Sequence, residues 1–287
     1  MSSRPDTESA RAELRLQLDA LDAKLHDCLI ERSRIVDDLS QIDAGTGYSL
    51  QPGDDADLMR HLVEHHQGTL PLHAVEHIWR MLIAAGLGAD RTVNIHLDGS
   101  ADLLGMLDVA RFHFGFSCEL IAGSDAADVV GAIADGEGDL GLIALEDRAD
   151  LPWWRGLSLD GAEITARLPF LVNDERPADL PAFVIAQASA IAVKAGRDTI
   201  VYDARWSGAL PGSLMTQGLE VVSFHRSMSG VDALLAVSAD LSEDQILAAC
   251  EEAGAVPDVL RMVGGYSSPI DVEGDADDDF GAAAAEG

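Results

Sequence analysis

Near the N-terminus, apolar side chains recur at Leu14, Leu18, Leu21, Leu25, Cys28, Ile35 and Leu39, with Arg32 filling the one gap, so spacings of four and three alternate. That period puts them on one seam of a long helix, predicted over residues 9–43, that packs against partners. Gly45 and Gly47 stop it, and Pro52-Gly53 opens a second helix over 55–66, with a third over 72–85. Residues 1–91 are therefore predicted to form an all-α domain of three helices.

From Thr92 the period changes. Short strand-like runs at 93–97, 118–121 and 140–145 are separated by helical patterns at 101–114 and 125–134, which predicts an α/β lobe with a parallel sheet over 92–194. Pro152-Trp153-Trp154-Arg155 interrupts it, and the two tryptophans read as a hydrophobic lid rather than a ligand platform. Further strands are expected at 164–172 and 183–186. Residues 195–270 then read as strand 199–202, helix 210–217, strands 220–224 and 232–237, helix 243–252 and strand 259–263. That is an α+β domain of βαββαβ order. Residues 271–287 hold seven acidic residues and a four-alanine run, and are expected to be a disordered, solvated tail.

Charge narrows the partners. With 19 basic and 50 acidic residues the formal net charge is −31, which repels nucleic acid and anionic lipid. No apolar run approaches the roughly 20 residues of a spanning helix, and the polar start shows no secretory signal, so a cytoplasmic protein is expected. Cys28, Cys118 and Cys250 match no metal spacing and are expected to be buried. His61 and His65 stand four apart beside His66, but without an apparent third ligand they read as exposed helix surface, so no metal and no cofactor is expected.

Arg32 is the conspicuous residue of the first seam. A guanidinium among apolar side chains needs an anion, either a structural partner such as Asp22 or Asp37 or a ligand. Arg15 stands 17 residues earlier, about 25 Å along a helix at 1.5 Å per residue. One helix cannot bring both to a small ligand; two antiparallel copies in a homodimer can, giving a site suited to a dicarboxylate.

Leu14-Arg15, Leu21-Asp22-x-Lys24-Leu25 and Glu31-Arg32 resemble the first helix of the all-helical, AroQ-type chorismate mutases, and His77-Ile78-Trp79-Arg80-x-Leu82-Ile83 resembles their third. The resemblance implies an intertwined dimer that isomerises chorismate to prephenate without a cofactor, holding the reactive conformer and stabilising charge on the breaking ether bond. It carries over Arg15 and Arg32 as carboxylate ligands and Asp55 as the acid opening the second helix. Elsewhere the chain departs from the pattern: the family's lysine falls on Asp43, its arginine on Asp54, and its late serine and glutamine on Gly86 and Asp90.

The stretch 129–147, ending Leu145-Glu146-Asp147, is similar to a prephenate dehydratase segment, without that family's Gly-rich opening or Thr-Arg-Phe motif. Ser207-Gly208-Ala209-Leu210, the strand before Arg226, and Gly265-Tyr266 resemble landmarks of dehydratase ACT domains. That resemblance implies an aromatic amino acid effector held by Gly208, Ala209, Leu210 and Arg226, although Phe224 and His225 stand where the family has Glu-Ser. Two readings follow: a chorismate mutase of aromatic amino acid biosynthesis, or a mutase-fold pseudoenzyme that binds or regulates.

Overall fold

The structure is a computed structural model, and it describes residues 4–42, 52–87, 93–136, 139–173, 176–187 and 196–272. The expected positions Asp43 and Asp90, the two domain junctions and the tail beyond 272 lie outside the described residues. The chain divides into two units, 1–48 and 49–287.

The first unit is one helix, α1 (Arg4–Ile42). Its seam is exposed: Leu14, Leu18, Leu21, Leu25, Ile35 and Leu39 are each more than half accessible. Cys28, expected to be buried, is exposed on the same helix, because a single helix has no interior to offer it.

The second unit begins with α2 (Pro52–His65) and α3 (Leu72–Leu87). Ala56 and Met59 of α2 form a small core with Phe170 and Leu171, against which Leu72, Trp79 and Ile83 of α3 also pack. Then follow β1 (Asn94–Leu97), α4 (Leu103–Phe114), β2 (Glu119–Ala122), α5 (Ala126–Asp135) and β3 (Leu140–Ala144). Both helices begin where an aspartate satisfies otherwise unpaired amides: Asp102 accepts from the Leu104 and Gly105 N–H groups, and Asp125 from that of Asp128. β1 pairs in parallel with both β2 and β3, the βαβαβ unit anticipated from the sequence.

The expected strand over 164–172 is divided by Pro169 into β4 (Ala162–Leu168) and β5 (Leu171–Val172). A proline lacks the N–H that the ladder would need there. β6 (Ala182–Gln187), β7 (Thr199–Trp206), β8 (Glu220–Ser227), β9 (Gly230–Ser238), α6 (Glu243–Ala253), β10 (Val259–Tyr266) and β11 (Ile270–Asp271) complete the unit. The helix expected over 210–217 is replaced by turns and a single 3-10 turn at Met215–Gln217. Gly208, Pro211, Gly212 and Gly218 flank or interrupt that stretch, and each disfavours a continuous helix.

Among the described residues, nine strands form one sheet in the order β2-β1-β3-β6-β4-β10-β7-β9-β8. The last four are antiparallel to one another, in the ferredoxin-like order. They join the α/β half where Gly264 of β10 meets Ile164 of β4. Gly264 has φ +145°, and a Cβ there would lie 2.3 Å from the Ile164 carbonyl oxygen, so only glycine lets the two backbones meet. Strand alternation then makes one core of both halves. Phe183 and Ile185 of β6 share a cluster with Leu234 and Ala236 of β9, while Val184 faces α4 and Leu235 faces α6 on the opposite surface.

Candidate functional site

On α1, Arg15 is exposed and Arg32 is partly buried. Both belong to the first unit, whereas Asp55, partly buried at the start of α2, belongs to the second. The Asp55 carboxylate acts on the guanidinium of Arg80, which burial pushes down and the charges of Glu76 and Asp55 push up.

Arg80 leads into a polar cluster that the sequence reading did not single out. Arg176 reaches from the segment after β5 and donates to both carboxylate oxygens of Glu76, at 2.6 and 3.3 Å. Glu76 and Arg176 are 1% and 6% exposed, so the pair sits in a low-dielectric interior. Burial raises the Glu76 carboxyl above its ordinary range even though Arg176 and Arg80 oppose the shift. His113 of α4 is also buried, and desolvation, reinforced by Arg80, Arg176 and His77, holds it neutral well below the ordinary histidine range. The Arg176 guanidinium lies 4.7 Å from the centre of the Phe112 ring, and the His77 ring packs 4.8 Å from the same ring. A signal for this cluster exists in the sequence: Glu76 interrupts the apolar stripe Leu72, Trp79, Ile83 at helical spacing.

A second concavity, of about 70 Å³, opens at the carboxyl ends of β1 and β3 beside the start of α5. In an α/β sheet this is where ligands bind. Asp98, Asp125, Glu146 and Asp150 line it with Trp153 and Ser223, and among the described residues no arginine or lysine does. Four carboxylates around a small cleft repel a dianion such as prephenate. Asp147 is held by the adjoining strand β8, whose Phe224 N–H donates to the Asp147 carbonyl at 2.9 Å. Trp154 is fully buried beside Trp153, so the tryptophan pair is mainly core.

At the other end, register aligns Arg226 of β8 and Trp206 of β7 with the same β9 residue, Val231. The loop holding Gly208, Ala209 and Leu210 therefore emerges at the end of the sheet that carries Arg226. The first amide of that loop is already engaged, because the Ser207 N–H donates to the Asp258 carboxylate at 2.6 Å. Gly208 faces open space, Leu210 packs against the α6 core, and exposed Arg226 lies over the Phe224 ring at 5.5 Å. His225 Nδ1 is 3.1 Å from the Ala149 carbonyl oxygen.

The two resemblances on the helical segment are decided by comparison with known families: residues 14–88 match the family model described as Chorismate mutase type II. The match takes in α1, α2 and α3, about a quarter of the chain. Among solved structures, the chain is similar to a protein described as a novel type of quorum quenching acylase, GqqA, at 14% identity and TM-score 0.41, over 61% of this chain and 95% of that one. It is similar to prephenate dehydratase from Streptococcus mutans at 14% identity and TM-score 0.36, over 62% of this chain and 100% of that one. The prephenate dehydratase from Arthrobacter aurescens in complex with L-Phe aligns at 10% identity and TM-score 0.38, over 67% of this chain and 97% of that one. Among curated proteins nothing matches. Within the matched stretch, the His61–His65 pair on α2 has a neighbour the sequence reading missed, Glu64, and the three potential ligand atoms lie within 4.8 Å of one another. No helix among the described residues is long and apolar enough to cross a membrane.

Proposed function

We propose that this chain is a cytoplasmic, homodimeric chorismate mutase-family protein of aromatic amino acid biosynthesis that isomerises chorismate to prephenate at a reduced rate. The observation that carries the reading is the exposed leucine seam of α1, which bears Arg15 and Arg32 within the mutase-like segment. A second copy running antiparallel covers that seam and sets Arg15 of one chain against Arg32 of the other. The two guanidiniums then bind the two carboxylates of chorismate. The rearrangement is pericyclic, so binding, conformer selection and charge stabilisation suffice, and neither a nucleophile nor a cofactor is required. Asp55 supplies the acid at the start of α2.

The reduced rate follows from Gly86, which offers no hydrogen-bond donor where the family has serine, and from Asp43 and Asp90, which replace a lysine and a glutamine. Each lost transition-state donor costs about 100- to 1000-fold. The same residues favour a second reading, a pseudoenzyme that binds the dicarboxylate without converting it. Chorismate consumption by the purified chain separates the two. Turnover that falls at least about 100-fold in kcat/KM on Arg32→Ala supports the first; binding without turnover supports the second; neither binding nor turnover removes both.

In this reading 1–91 is the mutase part, 92–194 a dehydratase-like lobe without dehydratase activity, and 195–270 an ACT-like part. The ACT-like part binds an aromatic amino acid weakly through Gly208, Ala209, Leu210 and Arg226, since Asp258 already holds the loop amide and repels an incoming carboxylate. Sub-micromolar affinity for phenylalanine, tyrosine or tryptophan in titration of the full chain would overturn that last statement.

A further inference from the structure

We propose that α2 carries a binding site for a divalent transition-metal ion of the zinc class, formed by His61, Glu64 and His65. The three residues stand at i, i+3 and i+4, which places them on one helix face. Each offers a ligand atom, and these atoms lie within 4.8 Å of one another. The two imidazole rings are 4.1 Å apart between centroids and tilted by 36°. Donors sharing one tetrahedral ion at about 2.0–2.1 Å from each nitrogen stand roughly 3.3 Å apart. All three side chains are exposed and free to make that small closure by rotamer adjustment.

A second observation points the same way. His65 Nδ1 lies 2.9 Å from the backbone carbonyl oxygen of His61. Donating there keeps the proton on Nδ1 and leaves the Nε2 lone pair for a metal, the outer-shell support that metal-binding imidazoles usually have. The neighbouring groups leave the site clear. His66 Nε2 is engaged 2.8 Å from the Leu70 carbonyl oxygen. Arg60, the nearest cation in sequence, turns to Asp57 and Asp198, each at 3.0 Å, rather than to Glu64.

Two imidazoles and one carboxylate suit zinc, nickel or copper, whereas calcium and magnesium call for all-oxygen sets. One helix face supplies three ligands, so the remaining position falls to water. Because only the folded helix brings the three together, the bound ion stabilises α2 against unfolding.

The test is isothermal titration of the chelator-stripped full chain with zinc chloride, with magnesium chloride as control. One zinc per chain is expected, with affinity falling at least tenfold in His61→Gln and in His65→Gln, unchanged in Cys28→Ser, and with no magnesium competition. Circular dichroism of these surface variants keeps the helix content in view. Absence of zinc uptake, or uptake by the His61→Gln/His65→Gln protein equal to that of the parent, overturns the proposal; equal uptake is what the dispersed carboxylates or the Cys28 thiol would give.

Discussion

α1 and the nine-stranded sheet bury apolar side chains in opposite ways. The sheet is covered on both faces, and strand alternation sends Phe183 one way and Val184 the other into cores that are each complete within the chain. α1 has an apolar stripe of comparable regularity, yet Leu14, Leu18, Leu21 and Leu25 remain 56–64% exposed. A single helix has no second layer, and exposed contiguous leucines mark an interface. The sheet is therefore held by contacts inside the chain, whereas the seam of α1 is left for the second copy of the proposed dimer to cover.

The sharpest way to separate the two is to damage each. Arg176→Ala strands the Glu76 carboxylate in the interior, and the second unit should lose about 3–5 kcal/mol in urea unfolding with no change in oligomeric state. If association changed as well, the division between the regions would fail. Leu25→Asp on α1 should do the reverse: it removes about 1.5–3 kcal/mol of apolar burial per copy from the proposed dimer. Sedimentation should then show monomer, while the unfolding of the second unit stays where it was.

A third test uses pH. His113 is held neutral in the folded protein by burial, so its folded value lies below the unfolded one. Between the two the unfolded chain binds the extra proton, so stability is intact above about pH 6.5 and is lost as pH falls, by about 1.4 kcal/mol per pH unit. Glu76 acts with the opposite sign: its raised carboxyl adds stability below the unfolded value that fades as pH rises through the folded one. Comparing the parent with His113→Leu cancels the Glu76 contribution, and the acid-side slope should flatten only in the variant.

The smallest expected effect is at α6, where Ser242 and Gln245 form a reciprocal capping box. Ser242→Ala should cost about 1 kcal/mol in thermal unfolding and leave the proposed dimer unaffected.

Much of this organisation was written in local pattern. The four-and-three spacing from Leu14 to Leu39 specified α1 almost to its ends, and the β-α-β-α-β run from 93 to 145 appeared within a residue or two of its expected limits. Periodicity reports which face of an element is buried, and for that neighbours in sequence suffice. The same reading failed at 210–217, where Leu210, Leu214 and Met215 stand among three glycines and a proline that disfavour a helix. It did not single out Glu76, whose partner Arg176 lies 100 positions away.

By itself, then, the sequence determined most of the elements, the net acidity, and the placement of Arg15 and Arg32 on one helix within the stretch that matches the Chorismate mutase type II model. Only the tertiary structure decided that residues on both sides of 188–195 share one sheet, joined where Gly264 lets β10 lie against Ile164. It also decided that four carboxylates converge on the cleft at the ends of β1 and β3. The physical reason is the same in each case. Local pattern fixes which way a side chain points from its own element, but which distant group it meets depends on how whole elements pack, and that is set by the shared core rather than by any one stretch of chain.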